Sequence, residues 1–334
     1  TARSIGTRGW LAKRRVTTHH HVREGSEADM GRLARRLTGR SIGLVLSGGG
    51  ARGLAHIGVS RALEEVAIPS DVVGGTSIGG IIAGLYALGY DSRSMIDLSR
   101  KGFVHMGVQP LTDYTPPIVS LLSGRHAAAV LKMFAADAQI EDLWIKYFCV
   151  STNLTRAECL VHEEGPLYKW LMATACLPGY YPPVLVDGDL LVDGGLLNLL
   201  PADVMKRLGA GTIIGVDVTA REDLRTDMTY QDYLSGWRLL WARMNLFAQK
   251  PRMPNIFGIL SRAVTVNGIY HVESVKQGLD LYLHPPVEQF ELGDWRSLDT
   301  IVEIGYRSAR EKIARWAATH PSPRGVDPHL EGRR

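Results

Sequence analysis

Cysteine is scarce in this chain: Cys149, Cys159 and Cys176 are the only three in 334 residues. They are odd in number and show no C-x-x-C pairing and no neighbouring histidine spacing, which excludes a disulfide framework and a cysteine-built zinc site. Reduced, mostly buried thiols are expected instead. Long apolar runs are missing as well. The longest weakly polar stretch, Ile78 to Tyr90, is broken by glycines and falls short of the roughly 18–20 apolar residues that a spanning helix needs. No basic-then-apolar leader opens the chain, which starts at Thr1, and a fragment of something longer is expected. Repeats and low-complexity tracts are absent, and only the proline-bearing tail after His320 is expected to fray.

Strong charge of one sign is also lacking, since the net charge is only +4. Its distribution is uneven. Residues 1–40 hold ten Lys or Arg against three acids, so the remainder is slightly acidic and no nucleic-acid partner is expected of it. "WLAKRRV" and "GRLARRLTGR" could lie on an anionic surface, but a solvated basic extension or linker over 1–40 is the simpler reading. The run His19-His20-His21 has no metal-ligand spacing.

What the chain does have is 45% hydrophobic residues and 22% charged, enough for a full core. From Ser41 the text alternates. "SIGLVLSGGG" reads as a buried strand ending in a glycine loop, and the next segment carries Leu54, Ala55, Ile57, Gly58, Ala62 and Val66 on one helical stripe. "SDVVGGTS" is a second strand and "IGGIIAGLYALGY" a second helix. Later strands are read in "KYFCVSTNLT", "ECLVHEEG", "DLLVDGG", "GTIIGVDVT" and "GLDLYLHPP", with helices near 166–176, 201–209, 232–247, 256–264 and 300–319. This order predicts a three-layer α/β fold, a mainly parallel central sheet flanked by helices. Residues 41–206 would form its core and 207–334 would complete it.

In such sheets chemistry gathers beyond the carboxyl ends of the strands. Gly48, Gly50 and Gly53 stand at G-x-G-x-x-G spacing at the mouth of a helix, where successive amides can converge on an anion. That motif alone also fits a dinucleotide pyrophosphate. The next turn decides. Gly75-Thr76-Ser77-Ile78-Gly79 is G-x-S-x-G between a strand and a helix, the setting of a nucleophile elbow. Asp71 stands at the start of the second strand, the wrong end for holding a ribose, so no nucleotide cofactor is expected.

A serine nucleophile needs a base within hydrogen-bond reach. Two candidates stand open. His284 in "LYLHPP" follows a strand and suits the Ser, acid, His order of many hydrolases. Asp193 in "LLVDGGLLNLLP" ends a strand, and Gly194 and Gly195 after it would let the carboxylate approach another loop. A carboxylate near pKa 4 is a weak base in water, but burial would raise it.

The trio SGGGARG, GTSIG and DGG, in this order, resembles the patatin-like phospholipase family. "QIEDLWIKYFCVSTNLT", "LPGYYPPV", "DGGLLNLLPADV" and "LSGWRLLWARMN" bring it nearest to the neuropathy-target-esterase group of that family, over roughly residues 41–310. The resemblance implies a Ser–Asp dyad of Ser77 and Asp193, with Gly48, Gly49 and Gly50 as the oxyanion loop. Gly53, Gly75, Gly79, Gly194 and Gly195 are the motif glycines. It implies that Arg52 orients that loop or meets a phosphate, and it demotes His284 to a strand-end histidine. His56 is read as packing. No metal and no cofactor are implied. The implied activity is hydrolysis of acyl esters of lysophospholipids or phospholipids, with a neutral-glyceride or small-ester lipase and a noncatalytic lipid-binding domain as rivals. The implied setting is cytoplasmic, with peripheral contact to a membrane, and upstream cyclic-nucleotide-binding modules often accompany such domains.

Two stretches suit a lipid surface. Trp237, Leu240, Trp241, Met244 and Phe247 share a helical face with Arg238 and Arg243 outside it, although a buried core helix is the simpler reading. Residues 108–125 are apolar and proline-bearing, as a lid would be, or an ordinary packed connection.

Overall fold

The computed structural model describes residues 4–106, 110–220, 235–237, 241 and 256–320. One sheet holds β1 (Ile42–Leu46), β2 (Val72–Thr76), β3 (Lys146–Asn153), β4 (Glu158–His162), β5 (Val184–Val186), β6 (Asp189–Asp193), β7 (Thr212–Val216) and β8 (Leu281–Leu283). Across it the order is β5-β6-β3-β2-β1-β7-β8, with β4 also on β3. The run β3-β2-β1-β7-β8 is parallel, and β4, β5 and β6 are antiparallel additions. The expected three-layer α/β architecture is thus the observed one.

The helices in chain order are α1 (Thr7–Leu11), α2 (Glu27–Leu37), α3 (Ala55–Glu65), α4 (Ile78–Ala87), α5 (Ser92–Ser99), α6 (Pro110–Asp113), α7 (Arg125–Ala135), α8 (Leu167–Ala175), α9 (Ala202–Arg207), α10 (Ile256–Val275) and α11 (Leu298–Thr319). β1, β2 and nearly all of β7 are buried along their whole length because both faces of the sheet are covered. Side chains alternate between two cores: Ile42, Leu44 and Leu46 of β1 enter one with Leu54, Ile57 and Val302, while Val45 enters the other with Phe148, Met205 and Val272. Helices α3 and α11 cross at glycine contacts, since a Cβ on Gly58 would collide with the Val302 carbonyl and one on Gly305 with that of Ala55.

The partner change along β3 positions the site. Residues 146–150 of β3 pair with β2 in register Thr76↔Val150, and 151–153 pair with β6 in register Ser151↔Asp193. Meanwhile β4 covers Cys149–Asn153 from the other edge. β2 and β6 therefore share one edge of β3 and end against each other at the peptide between Val150 and Ser151. The last residues of both strands, Thr76 and Asp193, are brought together although more than a hundred residues separate them.

The amino-terminal region differs from a solvated linker. Ser26 caps α2 by accepting from the Asp29 amide at 3.3 Å. Arg35 on that helix is buried and donates to both Asp71 oxygens at 2.9 and 2.6 Å, and Asp71 also takes the Ile42 amide at 2.9 Å. The Thr7 amide donates to Asp142 at 3.0 Å, and His19 and His21 meet the Glu141 carbonyl at 3.0 and 2.8 Å. Arg35 is thus fastened to the end of the sheet where β1 and β2 begin, and Arg36 beside it donates to the Leu208 carbonyl at 3.1 Å. At the other end of the chain β7 and β8 extend the sheet begun by β1, so Thr212–Val216 and Leu281–Leu283 belong to the same layered body.

Candidate active site

Ser77 follows β2 directly and precedes α4, with φ 55° and ψ −128°, a left-handed backbone that a residue with a Cβ seldom takes. Small neighbours make that turn feasible. A Cβ on Gly75 would lie 2.5 Å from the Leu46 carbonyl, and one on Gly79 would strike the same group, so the elbow sits flush against the end of β1. Two threonines fasten it. The Thr76 hydroxyl donates to the Asn198 carbonyl at 2.7 Å, and the Ser77 amide donates to Thr174 Oγ1 at 3.0 Å. Thr174 in turn donates to the Val150 carbonyl at 2.6 Å.

Asp193 closes β6 and is 4% exposed. Its carboxylate accepts the Gly195 amide at 2.8 Å and faces the Ser77 hydroxyl. Burial pushes the carboxyl up from 3.8 to about 6, against the lowering effect of the Ser77 hydroxyl and the Gly195 amide. A group so placed is ionised at neutral pH yet much more basic than a carboxylate in water. Gly194 must lack a side chain because its Cβ would lie 2.5 Å from the Val150 carbonyl.

The glycine loop lies beside this pair. A Cβ on Gly48 would be 3.3 Å from that of Ser77. Its amide, however, donates to the Leu199 carbonyl at 3.1 Å. Gly48 thus belongs to the loop with its N–H committed to that carbonyl. Ala51 likewise donates to Leu292 at 2.9 Å. Between them, the Gly49 and Gly50 amides have no acceptor among the described residues. Gly50 takes φ 57°, and a Cβ there would lie 2.6 Å from the Leu292 carbonyl, so both conformation and space demand glycine. Arg52 turns back on the loop, its Nε donating to the Gly49 carbonyl at 3.2 Å. Gly53 packs on Ile78, the first residue of α4.

His56 does more than fill space. Its Nε2 meets the Ser47 carbonyl at 2.9 Å, where β1 passes into the glycine loop, and burial lowers its pKa to about 4, so the ring is neutral. His284 is not at the site. Its Nδ1 meets the Asp217 carbonyl and its Nε2 meets Glu288, both at 2.8 Å, in a cluster with Tyr282 at the ends of β7 and β8. The histidine-base alternative is therefore set aside.

Burial pushes the Cys149 and Cys176 thiols up to about 12 and that of Cys159 to about 11, so none is a thiolate at neutral pH. Among the described residues no group of three His, Cys, Asp or Glu side chains is placed to hold a metal ion.

The surroundings carry the apolar groups. Tyr114 pairs with Leu122, and the segment between them bonds through Leu121 and Leu122 to the Gly179 and Tyr180 carbonyls at 2.9 and 2.8 Å. Ile118 and Val119 at its tip are 89% and 64% exposed. Residues 108 and 109 of the expected lid lie outside the described residues. So do Leu240, Met244 and Phe247, but Trp237 and Trp241 are 75% and 72% exposed, contrary to the buried-helix reading. α10 rests on the site, with Gly268 against the Gly195 carbonyl and Leu199.

A strained serine elbow, a buried acid ending a neighbouring strand and a glycine loop with two open amides are one constellation. Residues 44–206 match the family described as Patatin-like phospholipase. The chain carries a patatin-like phospholipase domain. It is 41% identical over 301 residues to human patatin-like phospholipase domain-containing protein 6, which covers 88% of this chain and 22% of that protein. It is 40% identical over 298 residues to the lysophospholipase NTE1 of Meyerozyma guilliermondii, covering 88% and 21%, and 38% identical over 337 residues to neuropathy target esterase sws of Drosophila melanogaster, covering 91% and 24%. The chain thus spans about a fifth to a quarter of these relatives. The crystal structure of VipD from Legionella pneumophila is similar at a TM-score of 0.41 and 13% identity, covering 83% of this chain and 67% of that one.

Sequence reasoning missed Thr174, Asn198 and Leu199. Nothing in "MATACLPGYY" marks Thr174, whose partners are 97 residues upstream and 24 residues upstream.

Proposed function

We propose that this domain hydrolyses acyl esters of lysophospholipids or phospholipids by way of an acyl-enzyme on Ser77. The Ser77 oxygen attacks the ester carbonyl carbon while its proton passes to Asp193, and the Gly49 and Gly50 amides donate to the oxyanion that forms. Collapse breaks the bond to the glycerol oxygen, which takes the proton from Asp193 and leaves as the alcohol. Water then gives a proton to Asp193, attacks the acyl carbon and releases the fatty acid, and the proton returns to Ser77. Arg52 holds the Gly49 carbonyl, and with it the peptide plane that carries the Gly50 amide, so that this amide stays available.

The observation that carries this reading is the contact between Ser77 and the buried Asp193 beside two open amides. The name lysophospholipase, borne by a relative 40% identical, supports the choice of lipid ester. A peripheral, cytoplasmic contact with a lipid surface goes with it, supported by the exposed apolar side chains of Trp237, Trp241, Ile118 and Val119. No described helix is long and apolar enough to cross a membrane.

The test is labelling by a fluorophosphonate together with turnover of lysophosphatidylcholine and of a neutral monoglyceride presented in the same micelles. Stoichiometric labelling that vanishes in Ser77→Ala, and preference for the lysophospholipid, are expected. Preference for the glyceride would move the domain to the neutral lipases. Absence of labelling in folded protein would leave a lipid-binding domain.

A further inference from the structure

We propose that Thr174 is a positioning residue for the nucleophile, its hydroxyl holding the Ser77 elbow to the same stretch of β3 that holds Asp193. The proposal rests on Ser77 being the nucleophile and adds the group that sets its place.

Thr174 lies in the last turn of α8 and is fully buried. A threonine there would ordinarily return its hydroxyl to a carbonyl of its own helix one turn back. This one does not. It donates to Val150 on β3 at 2.6 Å and accepts from the Ser77 amide at 3.0 Å. The direction is fixed by chemistry: a carbonyl oxygen can only accept and an amide can only donate, so the hydroxyl has a single arrangement that serves both. Three elements, α8, β3 and the elbow, are tied through one oxygen.

The elbow needs such a tie. Ser77 has φ 55°, and α4 begins there with no side-chain cap, so its own residues do little to hold the turn. Strained backbone persists only where the surroundings over-determine it. Val150 is also the residue opposite Thr76, and its carbonyl abuts Gly194, next to Asp193. The following residue, Ser151, pairs with Asp193. Thr174 thus references the nucleophile to Val150 while the strand ladder references the base to Ser151, and the separation of the two functional groups is set within one dipeptide. Engaging the Ser77 amide also turns it away from substrate, which leaves oxyanion donation to the glycine loop.

Thr174→Val keeps the shape and removes the hydroxyl, whereas Thr174→Ser keeps the hydroxyl and removes a methyl. In the valine variant kcat and the fluorophosphonate labelling rate are expected to fall about 10- to 100-fold, the order of loss that follows an ångström-scale misplacement of a reacting group. KM should stay within about twofold because no substrate contact is removed. Thr174→Ser should recover the labelling rate to within about threefold of the parent. The acid limb of kcat/KM should move to higher pH in the valine variant, because the Ser77 hydroxyl, which lowers the Asp193 pKa, is no longer held beside that carboxylate. A threonine that only stabilised the fold would reduce the amount of active protein and leave that limb in place. Should the valine variant not fold, Thr174→Ala takes its place in the same assays. Labelling at the parent rate in the folded valine or alanine variant would overturn the proposal, as would a serine variant as slow as the valine one. Activity retained in Ser77→Ala would instead overturn the reading beneath it, so the two failures are told apart.

Discussion

The Ser77 hydroxyl faces the Asp193 carboxylate at the point where β2 and β6 end against one edge of β3. Because burial holds that carboxyl at about 6, it can act as a base only above that value. We expect kcat/KM on a soluble short-chain ester to be flat above pH 7 and to fall toward tenfold per unit below about 6. A profile that stays flat down to pH 4.5 would contradict Asp193 as the base.

The same burial has a thermodynamic counterpart. Native Asp193 holds its proton up to about pH 6, whereas an unfolded aspartate releases it near 3.9, so the native state binds more protons between those values. Stability contributed by this group therefore falls as pH rises through that window, by ~3 kcal/mol in all. Asp193→Asn should be inactive yet more stable than the parent at pH 8, and the advantage should fade as pH falls toward 4. Urea unfolding at the two pH values measures it.

Gly49→Ala should abolish most activity without unfolding the domain. A Cβ there would lie 2.7 Å from Val218 Cγ2, so the loop must shift and carry its amide off target. Losing one such donor costs ~10²–10³ in kcat in other hydrolases. Turnover normalised to folded protein decides it.

His284→Gln should keep turnover within about threefold of the parent, because the ring is held by Asp217 and Glu288 away from Ser77. A loss of a thousandfold would restore the triad alternative.

Arg35→Leu should destabilise the domain by ~3–5 kcal/mol, since it leaves the buried Asp71 carboxylate without its cation. Arg35→Leu combined with Asp71→Asn should recover part of that loss. Chemical denaturation of the parent, of Arg35→Leu, of Asp71→Asn and of the double variant gives the coupling.

The sheet was legible because its strands are nearly continuous apolar runs punctuated by glycine, and Ser77 was legible because G-x-S-x-G fell between a strand and a helix. The short β5 escaped notice although Asp187 and Gly188, at φ 49° and 87°, form the Asp-Gly turn that most favours a hairpin. Contacts remote in sequence account for the rest. Nothing near Gly48 announces that Leu199 will take its amide, and nothing near Arg35 announces Asp71. A helix rich in arginine looks solvated until its partner is known. The tryptophans were misread for a related reason: a stripe at helical spacing marks an apolar face but not whether protein covers it.

Val150 and Ser151 act as a gauge block for the proposed chemistry, one peptide plane from which the places of Ser77 and Asp193 are both measured. Anyone grafting the pair onto a different scaffold would have to copy a switch of strand partners as well as two side chains. A host sheet whose central strand kept one neighbour throughout would leave the alcohol and the acid without a shared datum, however faithfully each local loop was reproduced.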